Sequence, residues 1–123
     1  MSGIVHRGFD SADETRQFED GKGRLDLLNT SHGPVGRAVF EPGWQWSQHI
    51  KPIAGTDSCE AAHVGYVVSG RMKIVMDDGD SVEAGSGDFI QIDPGHDAWV
   101  LGDEPCVVLD WQGYGDFAKP AGS

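Results

Sequence analysis

The sequence predicts an all-β fold: a small antiparallel sandwich or barrel of short strands, with a short N-terminal helix or turn. Three observations carry this. Eighteen glycines and six prolines among 123 residues break the chain at short intervals, as frequent turns require. Between the breaks stand apolar or alternating runs of strand length. Two of these runs flank Asp77-Asp78-Gly79-Asp80, where Asp-Gly accepts the positive φ of a type I′ hairpin turn. Strands do not alternate with long helical periods, which argues against βαβ units.

The elements follow in order. Ser11 caps a short helix over residues 12–18, with Glu14 as its capping-box partner. Residues 24–29 form a first strand, broken by 30–34. Residues 35–41 form a second, closed by Pro42-Gly43, and 44–51 a third, ended by Pro52. A polar loop spans 54–60. Strands at 64–68 and 71–76 are separated by Ser69-Gly70, and 81–84 pairs back across the hairpin. Turns at 85–88 and 93–95 bracket a strand at 89–92, and 98–101 and 106–111 complete the sheet. The organisation read from this is an N-terminal extension (1–23), a β-barrel (24–112) and a C-terminal tail (113–123).

Hydrophobic residues make up 38%, a globular composition. The formal net charge of -11 excludes a phosphate backbone as partner and disfavours an anionic membrane. The first residues, Met1-Ser2-Gly3-Ile4-Val5-His6-Arg7, lack a signal-peptide apolar stretch, and no run approaches a bilayer span. The expected location is the cytoplasm, with Cys59 and Cys106 reduced.

The stretch from Pro42 to Trp99 resembles the cupin family. Gly43 is followed by five residues and His49, as in that family's first motif. The next histidine position holds Lys51. His63 stands where the motif has Glu, separated by Val64-Gly65-Tyr66-Val67-Val68-Ser69 from Gly70. The second motif resembles Gly87-Asp88-Phe89-Ile90-Gln91-Ile92-Asp93-Pro94-Gly95-His96. Its usual ligand position is Ala98, and His96 points to the same face of a regular strand. The resemblance covers about half the chain and implies a double-sheet barrel of the cupin, or jelly-roll, type. It also implies an interior metal site and a homodimer.

His49, His63 and His96 come from separate strands that face one barrel interior, so their imidazoles can converge on a single divalent transition metal ion: Zn, Fe, Mn, Ni or Cu. Cys59, four residues before His63, is either a fourth ligand, as a thiolate, or a neighbour of the ligands. Asp57 and Glu60 are nearby carboxylate options. Lys51 is read as the exposed end of its strand, the alternative being an inward cation that holds an anionic substrate. His6 and His32 are assigned to surface loops and Cys106 to the core. If His49 points inward from a strand, Trp44 and Trp46 point outward, where a dimer interface would cover them. Trp99 and Trp111 are read as core or pocket wall.

Two functions follow. One is a metal-dependent enzyme (oxygenase, isomerase or hydrolase) acting on a small organic substrate. The other is a non-catalytic domain that binds or senses a small molecule. An interaction module using the tryptophan face is a third.

Overall fold

Period-two burial organises the chain. In β8 (His96–Leu101) and β9 (Cys106–Asp110) every second residue is buried, the pattern of strands with one face on a core. The computed structural model describes residues 3–112. The remaining strands are β1 (Glu14–Gln17), β2 (Gly23–Thr30), β3 (Gly33–Phe40), β4 (His63–Ser69), β5 (Arg71–Met76), β6 (Ser81–Gly85) and β7 (Phe89–Ile92). They form two antiparallel sheets, a six-stranded one in the order β1-β2-β3-β9-β4-β7 and a three-stranded one in the order β6-β5-β8. The sheets share a core that includes Leu25, Leu27, Ala38, Phe40, Val67 and Val108. They are not closed on each other by strand pairing, so the architecture is an open barrel of the jelly-roll type.

Two expected elements differ. The helix over 12–18 is absent: a 3₁₀ turn at Phe9–Ser11 precedes β1, which pairs with β2. Tertiary pairing overrides the local capping signal here. Thr15 donates to Asp26 at 3.0 Å. Burial alone would raise the Asp26 carboxyl, but Arg37, Thr15 and Arg24 hold it below its ordinary value.

The third strand, 44–51, is also absent. In its place stand two single-turn helices, α1 (Trp46–His49) and α2 (Lys51–Ala54). Trp46, His49 and Ile50 are buried, a spacing of three and four that belongs to a helix. Pro52 sits in the first turn of α2, where its missing N–H costs no hydrogen bond. This change of period reverses the tryptophan assignment. Trp44 and Trp46 are each 2% exposed and lie in the core, so they offer nothing for a dimer interface to cover. Trp44 packs on Phe40 and Phe18, with ring centroids 4.2 and 6.2 Å away. Trp111, expected in the core or pocket wall, is 50% exposed.

The hairpin at 77–80 is present, but only Gly79 has positive φ (99°). Gly79 N–H donates to the Met76 carbonyl, so the turn is type I followed by a glycine bulge rather than type I′.

One glycine controls the approach of the two strands that carry the site. Gly65 of β4 faces inward, opposite Asp110 of β9. A Cβ there would sit 2.2 Å from the Leu109 carbonyl oxygen. The Gly65→Ala protein is therefore expected to lose about 2–3 kcal/mol of stability. Chemical denaturation measures this, and an unchanged midpoint would refute the close-approach argument.

Candidate metal centre

Three donors meet in the interior. Cys59, His63 and His96 are 2%, 6% and 3% exposed. One ligand atom from each lies within 4.8 Å of the others. Each donor is fixed by a different local device.

His63 opens β4 and points inward by alternation with Gly65 and Val67. Its Nδ1–H donates to Asp110 Oδ2 at 2.6 Å, which leaves the Nε2 lone pair on the side of Cys59. The Asp110 carboxylate, 1% exposed, also accepts the Gln112 backbone N–H at 2.7 Å. His96 opens β8, and its Nδ1–H donates to the Asp93 carbonyl at 2.8 Å. Its Nε2 therefore also carries a lone pair. A carbonyl or carboxylate that takes the Nδ1 proton is the arrangement that prepares a histidine to ligate a metal. Cys59 lies in the loop before β4 and is held by backbone hydrogen bonds. Its N–H donates to the His96 carbonyl at 2.8 Å, and its own carbonyl accepts from Gly95 at 2.7 Å. The Ser58 hydroxyl, bonded to Asp77 at 2.9 Å, ties down the same loop.

The donor set fits a transition metal. Cys59 Sγ is 3.7 Å from His63 Nε2. A tetrahedral ion with ordinary Zn–S and Zn–N bonds needs a ligand–ligand edge of about 3.5 Å. The rings of His63 and His96 stand at 66° with centroids 5.4 Å apart, so they approach a common point rather than stack. Burial lowers the His96 pKa, which keeps that imidazole neutral and able to ligate. Burial, reinforced by Glu60, Asp110 and Asp97, pushes the Cys59 thiol up to about 12. The metal-free protein thus holds a thiol, and a cation must displace its proton.

The other expected residues lie elsewhere. His49 is buried but sits on α1, and its Nδ1 accepts the Gln45 backbone N–H at 3.0 Å. That bond uses its lone pair and turns Nε2 toward Asp20, 3.7 Å away. His49 therefore does not join the group, because the segment that carries it is a helix and not a barrel strand. Lys51 opens α2 instead of ending a strand, and its half-exposed side chain reaches the exposed Asp57 at 3.7 Å, an ion pair at the surface. Glu60 is exposed and accepts from Ser58. His6 and His32 are exposed, and Cys106 is in the core. Both cysteines are free thiols. Ala98 lines the interior cavity beside His96.

Asp110 is the residue that sequence reasoning missed. Its signal was present: Cys106, Val108 and Asp110 share the inward face of one strand, and a carboxylate at an inward position needs a partner.

His63 and His96, with Asp110, border a cavity of about 30 Å³, walled by Phe40, Trp44, Trp46, Met72, Ile90 and Ile92 among others. That is room for about one water-sized group. Among the described residues no helix is long and apolar enough to cross a membrane.

The family model for the cupin domain matches residues 39–112. The fold is similar to that of a sugar phosphate isomerase of the cupin superfamily from Silicibacter pomeroyi, with 21% identity and a TM-score of 0.61 over 86% of this chain and 73% of that one. It is also similar to a polyketide cyclase from Streptomyces resistomycificus, with 17% identity and a TM-score of 0.62 over 89% and 79%. An RmlC-like cupin from Shewanella frigidimarina gives 18% identity and a TM-score of 0.58 over 92% and 96%. No curated protein sequence is significantly similar to this one.

Because the Cys59 proton must leave, zinc affinity is expected to rise about tenfold per pH unit through the neutral range. Competition titrations at several pH values measure this, and Cys59→Ser should flatten the slope. A pH-independent affinity in the wild type would count against a thiolate ligand.

Proposed function

The chain belongs to the cupin domain family, and we propose that it holds one divalent transition metal ion through Cys59, His63 and His96 and acts there on a small organic molecule. One observation carries the reading: both imidazoles have Nδ1 engaged by a fixed acceptor, so two Nε2 lone pairs and one sulfur face a common point. A thiolate with two imidazoles favours Zn, Fe or Cu over Mn. Three protein ligands leave one position for water or substrate, as in catalytic sites. Such an ion would act as a Lewis acid on a substrate oxygen.

The residues of the chain supply the rest. Asp110 orients His63, Asp93 orients His96, and the aromatic and aliphatic walls exclude bulk water. Of the reaction classes open to the fold, isomerisation or another Lewis-acid step on an oxygenated substrate fits this donor set best. The named isomerase and cyclase of like fold are in keeping with that class. A non-catalytic binding or sensing role is the second reading. It is favoured because, among the described residues, the cavity wall carries no further acid or base beyond His63, His96 and Asp110.

Location in the cytoplasm fits two buried free thiols. For the homodimer we take the outer face of the larger sheet. Tyr66 and Phe89 are cross-strand partners there, Val68 follows Tyr66 by two residues along β4, and Trp111 directly follows β9. All four are exposed large hydrophobics on a chain of net charge -11, where an uncharged patch is the surface on which two copies repel least.

Elemental analysis tests the metal. Wild type and His49→Ala are expected to carry about one transition metal per chain. His63→Ala, His96→Ala and Cys59→Ser should lose it. No metal in the wild type after reconstitution with Zn, Fe and Cu would sink the reading. Light scattering tests the dimer, with Phe89→Lys expected to give a monomer. A wild type that is already monomeric removes the dimer proposal.

A further inference from the structure

One residue of the cavity wall has a buried hydrogen-bond donor without an acceptor. Trp44 lines the cavity, and its indole Nε1 has no hydrogen-bond partner. The residue is 2% exposed, so bulk water does not serve it. An indole nitrogen only donates, and a buried donor left unpaired in a native protein marks an absent acceptor. His63, His96 and Asp110 line the same cavity, and the rest of its wall is aromatic or aliphatic, with Phe40, Trp46, Met72 and Ile92 among it.

The geometry points to Trp44 Nε1–H as the donor to a carbonyl or carboxylate oxygen of the ligand bound at the metal centre. This rests on the metal-centre reading above. The class follows from what the wall can satisfy. An amine would set donor against donor. A hydroxyl would bring an O–H of its own, and Asp110, whose two oxygens already accept from His63 and Gln112, is poorly placed to take it. An sp² oxygen has two lone pairs and no proton, one pair for the indole and one for the cation. The cavity of about 30 Å³ admits such an oxygen and little more, so the body of the ligand must extend beyond it. Trp44 thereby selects the functional group of the substrate, while the remainder is selected elsewhere.

The test uses the indole N–H itself. The chain has four tryptophans, and the signal missing from the ¹H–¹⁵N spectrum of Trp44→Phe identifies the relevant one. Zinc-loaded protein is titrated with acetate, a carboxylate, and in parallel with acetone, a ketone. The Trp44 signal is expected to move downfield with at least one probe, and Trp44→Phe should weaken that probe's binding about tenfold or more. The responding arm tells carboxylate from carbonyl. A Trp44 signal that neither probe moves, or equal binding by the variant, overturns the inference. If the variant does not fold, the wild-type shift decides alone, with the signal assigned through contacts to the Phe40 ring. Zinc content is measured on the same sample. Zinc bound with a stationary signal refutes the indole role only. If no zinc binds, the metal reading fails and the same titration on zinc-free protein judges the indole.

Discussion

The hydrogen bond between Asp110 and His63 is the constraint on which the interior depends. A carboxylate 1% exposed in an apolar barrel is tolerated only when its oxygens are occupied. Both are: the imidazole takes one and a backbone N–H takes the other. Removing the imidazole would leave a buried charge short of a partner. Removing the carboxylate would free the ring to exchange tautomers. The pair therefore ties stability and ligand orientation to a single contact, and Gly65 permits that contact by letting β4 and β9 come together without a side chain between them.

Much of the fold was legible because strands speak locally. Burial alternates along Arg71–Met76 and Cys106–Asp110, and glycine, proline and Asp-Gly mark the turns. The failures share a cause. Residues 44–51 alternate well enough to pass for a strand, yet Trp46, His49 and Ile50 also fit one helical stripe. Two periods over so short a segment cannot be told apart without knowing what lies above it. The N-terminal capping box lost to pairing with β2, a partner about ten residues away in the chain.

The site was legible to the extent that the fold was. His63 could be placed from its position in the motif that ends at Gly70, and His96 from strand parity. His49 could not, because its place depended on the segment misread as a strand. Cys59 was a candidate by proximity alone. What fixes it is a backbone pairing with His96 across 37 positions, which no local pattern announces. Asp110 was missed because a carboxylate at a strand end ordinarily belongs to the surface.

That pairing across long separations has a consequence for how the protein is made. Cys59 and His63 lie four residues apart, but the carboxylate that orients His63 is supplied 47 residues later. During synthesis the thiol and the His63 imidazole leave the ribosome well before the strand that completes their surroundings. Until β9 docks between β3 and β4, no inner face exists for them to share. Closing so many distant contacts is the slow part of folding for a β topology. The centre is therefore assembled last, and a cation selected by its finished geometry is one acquired after the chain is complete.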